Sequence, residues 1–147
     1  MGSLKFSIDL VAPRADLIKL ATDYESLPKY LPQQLKEVKI LEKNGDEVIT
    51  NEVFEFKTIL RKKIEMQAKH KLLSENKLFT EIITGPAKGS TIVAEYAKTE
   101  TGTRVDVEIN LRLDMKTKFL LPIIKKIYKS FLTGVLYKMN ALAIQKS

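Results

Sequence analysis

The sequence predicts one α+β domain in which a curved, seven-stranded antiparallel sheet wraps around a long C-terminal helix. Segments that alternate apolar and polar residues recur along most of the chain, and this alternation is typical of half-buried strands. Turn-forming pairs such as Asn44-Gly45 separate these segments, and the C-terminal segment changes to the period of a helix. No internal repeat or low-complexity tract divides the 147 residues, so we expect a single domain over residues 1–147.

The chain begins with a strand and two short helices. Residues 4–10 alternate as a strand, and Ala12-Pro13 ends that strand while placing a proline where a helix can start. Apolar residues at helical spacing predict the first helix over residues 13–22. A second short helix is expected over residues 26–31, with Ser26 as its N-cap.

Six further strands complete the predicted sheet. Asn44-Gly45 joins the second to the third, because both residues tolerate positive φ, and the glycines at positions 85 and 89 mark a loop before the sixth. The seventh strand has the most regular alternation, with Val105 and Leu113 at the two ends of its apolar face. In order, the strands are expected over residues 36–43, 47–56, 64–73 (after a turn at residues 57–58), 78–83, 91–98 and 103–113.

The last element is predicted to be a helix over residues 119–145. Pro122 falls in its first turn, where the missing N–H has no helical partner, and Gly134 is expected to allow a bend or a close contact with the sheet. One side of this helix is apolar and faces the sheet, and the other faces water. The apolar side carries Leu120, Ile124, Ile127, Tyr128, Phe131, Val135, Met139 and Leu142, and the polar side carries Lys125, Lys126, Lys129, Thr133 and Asn140.

The composition excludes several kinds of chemistry. The chain has no cysteine and one histidine, His70, which rules out disulfides, thiolate metal sites, the usual zinc sites and a Cys-His nucleophile. The loop at residues 85–89 lacks the glycine spacing of a phosphate-binding loop. We therefore expect no metal and no cofactor. The absence of cysteine favours a reducing compartment and hence a cytoplasmic protein, and no stretch approaches the ~20 apolar residues of a membrane span.

The order of elements resembles the helix-grip fold of the START-like, polyketide cyclase and lipid transport superfamily (SRPBCC), over residues 4–144. Ala12-Pro13 and residues 23–32, Asp-Tyr-Glu-Ser-Leu-Pro-Lys-Tyr-Leu-Pro, look like the coenzyme Q-binding branch, in which an acidic residue, spaced aromatics and a Leu-Pro ending close the second helix. Gln33 follows this segment where that branch often has Trp. The resemblance implies a hydrophobic ligand, such as a lipid, quinone or polyketide, between the sheet and the C-terminal helix.

A sheet with one apolar face and an amphipathic helix encloses either a packed core or a cavity, and the resemblance favours a cavity. The inward phase of the strands and the apolar side of the helix identify the residues expected in its wall. These predicted ligand-binding residues are Phe54, Phe56, Ile64, Met66, His70, Tyr96, Val107, Ile109, Leu111, Ile124, Tyr128, Phe131, Val135 and Met139.

His70 is the titratable residue predicted in this wall, because counting by twos from Ile64 along the fourth strand places it on the inward face. An inward histidine can bond a ligand oxygen, act as a general base, or be satisfied by a neighbouring group of the protein. Glu52 shares the phase of inward residues on the third strand, but we interpret it as a carboxylate at the rim or in water. Tyr96 and Tyr128 offer hydroxyls to the polar end of a ligand.

These observations favour a noncatalytic binding or transfer protein. An alternative is an enzyme of the cyclase or dehydratase kind, in which His70 removes a proton from a carbonyl-activated carbon and a tyrosine stabilises the oxyanion.

The basic surface suggests two further partners. The formal net charge is +7, with basic residues clustered along strand four and along the outer face of the last helix. They suit peripheral contact with an acidic membrane surface, while binding to ribosomal RNA is a third hypothesis that no RNA-binding motif supports. The clusters are Arg61, Lys62, Lys63, Lys69 and Lys71, and Lys125, Lys126 and Lys129.

Overall fold

A computed structural model of the protein describes residues 2–56 and 63–146. Within these ranges a single sheet of seven strands, β1 to β7, is accompanied by two α-helices, α1 and α2, and two short 3-10 helices. In chain order the elements are β1 Gly2–Leu10, α1 Arg14–Ala21, a 3-10 helix Tyr24–Lys29, β2 Leu35–Asn44, β3 Glu47–Glu55, β4 Lys63–Ser74, β5 Lys77–Ile82, β6 Thr91–Lys98, β7 Thr103–Leu111, a 3-10 helix Lys118–Leu120, and α2 Leu121–Lys146.

All seven strands pair antiparallel, in the order β1-β7-β6-β5-β4-β3-β2. The first two strands of the chain therefore form the two edges of the sheet, and α1 and the first 3-10 helix connect those edges. Register shifts in the β2–β3 and β4–β5 pairs add to the twist and curvature of the sheet. The predicted α+β plan, with two short helices between the first two strands, is confirmed.

The strand predictions are confirmed, with ends that differ by no more than two residues. The largest difference at a C-terminal end is in β7, which stops at Leu111 instead of Leu113. Leu111 pairs with Gly2, the first described residue of β1, and no described strand residue pairs with β7 beyond this point. The turn predicted at residues 57–58, and the basic residues Arg61 and Lys62, lie outside the described residues.

Ser26 does not cap the second helix, so this prediction was wrong. The 3-10 helix already begins at Tyr24, with Asp23 in the cap position. The Ser26 N–H donates to the Asp23 carbonyl at 3.1 Å, an i to i+3 bond that places Ser26 inside the helix. Pro28 lies inside this helix and has no N–H to donate.

The long helix α2 packs against the sheet through Phe131, Leu136, Met139 and Ala143, which are all buried. Its predicted N-terminal residues form a 3-10 turn before α2 starts at Leu121, and Pro122 falls in the first turn as expected. Two large clusters of apolar side chains, at the two ends of the sheet face, share partly buried residues of α2. No helix in residues 2–56 and 63–146 is long and apolar enough to cross a membrane.

Two residues of α2 were assigned incorrectly from the helical period. Asn140 does not face water: its Oδ1 accepts the N–H of buried Ala12 at 2.9 Å. Gly134 approaches Leu31, not the sheet, and a Cβ built at Gly134 would lie 3.0 Å from Leu31 Cδ1. The segment before α1 covers α2 at Asn140, and the segment after the first 3-10 helix covers it at Gly134. The helical period alone cannot reveal such contacts, because they come from outside the helix.

Candidate functional site

An internal cavity of about 140 Å³ lies between the sheet and α2. Its wall combines inward residues of β2 to β7, the inner side of α2, the last residue of α1 and two residues of the 3-10 helix Tyr24–Lys29. Eight of the fourteen predicted wall residues line this cavity. They are Phe54, His70, Tyr96, Val107, Tyr128, Phe131, Val135 and Met139.

The other six predicted wall residues do not line the cavity, and this part of the prediction is corrected. Ile109 and Leu111 are almost fully buried near the start of α2, where Leu121 sits so close to Gly2 that a Cβ there would meet it at 2.8 Å. The helix therefore rests directly on the sheet at this end. The six residues, Phe56, Ile64, Met66, Ile109, Leu111 and Ile124, pack within the two apolar clusters.

A cluster of polar side chains lies within the sheet face that borders the cavity, on the adjacent strands β3, β4 and β5. The register places His70 of β4 opposite Thr80 of β5 and near the inward residues of β3. The Thr50 hydroxyl donates to Glu52 Oε2 at 2.7 Å. His70 Nε2 lies 3.0 Å from Glu52 Oε2 and 3.0 Å from Thr50 Oγ1.

The second ring nitrogen of His70, Nδ1, lies 2.8 Å from Thr80 Oγ1. An ionised carboxylate only accepts hydrogen bonds, so beside one Nε2 is the donor, while Nδ1 exchanges a hydrogen bond with the Thr80 hydroxyl, which can both donate and accept. The ring of Tyr24 stacks on the imidazole with centroids 4.3 Å apart. Each nitrogen and one face of His70 therefore already have a partner within the protein.

Glu52 is not at the rim or in water, so that interpretation was wrong. The residue is 9% exposed and lines the cavity. It alternates inward with Val48, Thr50 and Phe54, which are all buried, while the residues between them are half-buried on the other face. A second signal was available in the sequence, because Thr50 and Glu52, two residues apart, supply polar groups on the same inward face for the inward His70.

The hydrogen bonds of Glu52 use Oε2 alone, which leaves Oε1 without a partner among the described residues. The hydroxyls of Tyr24, Tyr96 and Tyr128 likewise make no hydrogen bond to another described residue. Glu52, Tyr24, Tyr96 and Tyr128 all line the cavity. Its wall thus contains one carboxylate and three phenols with polar atoms that no other described residue uses.

The electrostatics of the cavity keep the three phenols neutral. Burial, and secondarily the Glu52 carboxylate, raise the pKa of Tyr24 from 10.0 to about 12. The same two causes, in the same order, raise the pKa of Tyr128. Burial, followed by the effect of Tyr24, raises the pKa of Tyr96. All three therefore serve as hydrogen-bond donors at neutral pH.

Several residues of the polar cluster escaped the sequence analysis. Tyr24, Thr50 and Thr80 complete the polar cluster, but they come from a short helix and from inward threonines that carry no chemical motif. Among the described residues that line the cavity, Glu52 is the only carboxylate and His70 the only imidazole. The described ranges contain no group of three His, Asp or Glu side chains arranged to hold a metal ion.

No protein-family model matches the chain, and no curated protein matches it in sequence. Many solved structures match its fold. A START superfamily protein from Mycobacterium smegmatis superposes with a TM-score of 0.81 at 15% identity, covering 100% of both chains. The aromatase/cyclase Zhui from a Streptomyces species gives a TM-score of 0.81 at 9% identity, covering 98% of this chain and 94% of that one.

Norcoclaurine synthase from Thalictrum flavum, solved in complex with dopamine and hydroxybenzaldehyde, gives a TM-score of 0.76 at 14% identity, covering 99% of this chain and 87% of that one. These structures define the class: the chain has the helix-grip fold of START-like and polyketide aromatase/cyclase proteins. The superfamily resemblance is confirmed at the level of the fold, while the closer likeness to the coenzyme Q-binding branch stays a prediction. Identities of 9–15% show the fold alone.

Proposed function

We propose that the chain binds a hydrophobic small molecule in the cavity between the sheet and α2, as a binding or transfer protein. The observation that carries this proposal is an almost wholly apolar cavity with a few polar groups gathered around Glu52 and His70. Apolar walls supply most of the binding free energy, while a few placed polar groups fix the orientation of a ligand. A cytoplasmic location belongs to the same proposal and is supported by the cysteine-free sequence.

The charges in the cavity favour an uncharged ligand. Among the described residues that line it there is no Lys or Arg, and Glu52 is the only carboxylate. A ligand carboxylate would be desolvated without a cationic partner and would be repelled by Glu52. An uncharged hydroxyl or carbonyl finds matching groups instead, since Oε1 of Glu52 accepts a hydrogen bond and the three tyrosines donate. We therefore expect neutral lipids, quinones, phenols or polyketide-like molecules and no fatty acids.

The volume limits the size of the ligand that fits without rearrangement. An apolar cavity of about 150 Å³ holds a molecule of the size of benzene. The observed 140 Å³ therefore accommodates about one aromatic ring. A ring with a short alkyl chain requires a small movement of α2 away from the sheet, or of the 3-10 helix Tyr24–Lys29, and a longer ligand requires a larger one.

A panel of three compounds with one carbon skeleton tests the proposal: 4-propylphenol, propylbenzene and 4-propylbenzoate. In calorimetric titrations of the intact protein, 4-propylphenol should bind most tightly and the benzoate at least about tenfold more weakly, because an unpaired buried charge costs several kcal/mol. Glu52→Gln should narrow the difference between phenol and benzoate, since it removes the repelling charge. Glu65→Gln, on the exposed face of β4, is the matched control.

Absence of binding by all three compounds, together with no small molecule in organic extracts of the protein analysed by mass spectrometry, would contradict a binding function. Equal affinity for the phenol and the benzoate would contradict the selection against anions alone. The two parts of the proposal therefore fail separately.

A second candidate function is an enzyme of the cyclase or dehydratase kind, favoured by the pair of His70 and Glu52 beside three neutral phenols. Both ring nitrogens of His70 bond to protein partners, whereas Glu52 Oε1 does not. The geometry favours Glu52 as the group that accepts a proton from a carbonyl-activated carbon, with His70 holding the carboxylate and a tyrosine hydroxyl donating to the oxyanion.

Turnover of a poly-β-ketone thioester analogue by the intact protein tests this candidate. Glu52→Gln should abolish turnover while leaving 4-propylphenol bound, and His70→Ala should lower it less. Turnover that is the same in Glu52→Gln as in the wild type, or absent in both, would remove the enzyme hypothesis and leave the binding function.

A further inference from the structure

An exposed apolar patch lies just before and within the first turn of α2. Met115 is 87% exposed, Phe119 77% and Ile123 48%. Scattered exposed apolar residues are normal, but here three large ones fall within nine consecutive residues. Leu113 is buried before the patch, and Leu121 packs on Gly2 within it. These anchors fix the segment while the three side chains point outward.

The same segment is strongly basic. Residues 112–126 contain five basic residues and one acidic residue, Asp114, which gives a net charge of +4 within a chain of net charge +7. The hydroxyl and N–H of Thr117 bond the Asp114 carboxylate at 2.7 and 3.0 Å, and these bonds lower the pKa of Asp114. No acidic residue lies in the first turn of α2, where acids normally complement the helix dipole.

We propose that the surface formed by residues 112–126, here called the docking surface, binds an anionic lipid bilayer. Lysines flanking exposed Phe, Ile and Met match the two layers of a membrane interface, where anionic headgroups lie above apolar chains. A single-stranded RNA surface would need several aromatic rings for base stacking, and the docking surface has only Phe119. The charge and apolar pattern therefore fits lipid better than RNA.

The docking surface lies next to the cavity along α2. Ile123 lies five residues before Tyr128, which lines the cavity, so the two sites are about one and a half helical turns apart. A protein docked here holds the cavity close to the lipid. The inference rests on surface residues alone, and it does not depend on the ligand proposal.

Flotation with vesicles tests the proposal, using phosphatidylcholine alone and phosphatidylcholine with about one third phosphatidylserine, at low and high salt. The wild type should float with the anionic vesicles at low salt and not with the neutral ones. Lys118→Gln/Lys126→Gln should weaken this binding by about 25-fold, since each lysine near such a surface contributes about fivefold. Phe119→Ser should weaken it by about tenfold, because less apolar surface is buried.

Matched controls separate the docking surface from overall charge and hydrophobicity. Lys39→Gln/Lys43→Gln removes the same charge from exposed positions of β2, and Leu41→Ser removes an exposed apolar side chain from the same strand. Both should bind vesicles as the wild type does, and thermal melts should show that all four variants fold. The proposal would be overturned if the protein did not bind anionic vesicles, or if the two double-lysine variants lost the same vesicle affinity. Binding to ribosomal RNA that depends on Lys118 and Lys126, without binding to vesicles, would identify RNA as the partner instead.

Discussion

His70 acts on the site through the residues it holds. Its two ring nitrogens fix the Glu52 carboxylate on one side and the Thr80 hydroxyl on the other, and Tyr24 covers one face of the ring. Because Oε2 of Glu52 is occupied by His70 and Thr50, the carboxylate has one defined oxygen left for a ligand. Three uncharged phenols complete the polar part of a cavity whose remaining wall is almost entirely apolar.

The raised pKa of Tyr24 predicts a loss of stability in alkaline solution. The unfolded chain loses the phenol proton near pH 10.0, while the folded protein keeps it until about pH 12. The stabilisation is therefore fully present below pH 10 and is lost as the pH rises to 12, with a slope of at most about 1.4 kcal/mol per pH unit for each such tyrosine. Urea denaturation at pH 9, 10 and 11 measures this slope.

Tyr24→Phe should make that pH dependence shallower, because one of the four tyrosines with a raised pKa, Tyr24, Tyr30, Tyr96 and Tyr128, is gone. Tyr137→Phe, which removes a half-exposed phenol, is the control. An identical slope in the wild type and in Tyr24→Phe would show that Tyr24 ionises equally easily in the folded and unfolded states.

At the scale of elements, the position of α2 depends on the segments that flank the two short helices. The Ala12 N–H, between β1 and α1, donates to Asn140, and Leu31, after the first 3-10 helix, packs against Gly134. These contacts join the C-terminal half of α2 to the connection between the two edge strands. They help to set the separation between helix and sheet, and hence the cavity.

Asn140→Ala should lower the free energy of unfolding by about 1–3 kcal/mol, because the buried Ala12 N–H loses its acceptor. Asn140→Asp keeps an oxygen at the same place and should lose less. Lys138→Ala, at an exposed position of α2, is the control for changes in helix propensity. Chemical denaturation measures all three, and equal stability of Asn140→Ala and Lys138→Ala would contradict the role of this bond.

Gly134 is predicted to tolerate alanine and to reject a larger side chain. Alanine favours a helix by about 1 kcal/mol over glycine, which offsets the cost of shifting the flexible end of Leu31 by a few tenths of an ångström. Gly134→Val should be destabilised by about 1–3 kcal/mol, since the side chain pushes against Leu31.

A double-mutant cycle measures this coupling, because Leu31→Ala should recover part of the loss caused by Gly134→Val. Ala141→Val, at an exposed position of the same helix, shows the effect of a β-branched residue alone. Suppose that Gly134→Val and Ala141→Val lose the same free energy of unfolding, both in the wild-type background and in Leu31→Ala. That result would show that the contact between Gly134 and Leu31 has no energetic role.

For the whole molecule, the fold could be predicted because the periodic spacing of apolar residues determines which face of each strand and helix is buried. The regular alternation of β7 and the amphipathic pattern of α2 each select one face, and the order of elements then leaves a single layered plan. The same rules placed His70 on the inward side of the sheet. They failed where a contact from outside the element decides, as at Asn140 and Gly134.

The cavity itself was only partly predictable, for a geometric reason. Strand phase tells which side of the sheet a residue occupies but not how far the helix lies above it, so Ile109 and Val107 look equivalent in the sequence. In the structure Val107 lines the cavity, whereas Ile109 is packed under the start of α2. Glu52 was misplaced because a lone carboxylate usually faces water, and its inward position requires the partners Thr50 and His70 from its own and the neighbouring strand.

The same substitution, Ala to Leu, at two buried positions distinguishes the open cavity from the packed core. Ala68 lines the cavity, while Ala143 is buried in the packed cluster at the C-terminal end of α2. Ala143→Leu should cost about 1–3 kcal/mol, because a close-packed core cannot absorb extra methylenes. Ala68→Leu should be close to neutral in stability, since its added atoms enter the cavity and bury apolar surface there.

The same variant should lose affinity for 4-propylphenol, which competes for that volume, whereas Ala143→Leu should retain it. Denaturation and calorimetry on both variants measure the two effects, and a large loss of stability in Ala68→Leu would show that the space between sheet and helix is filled.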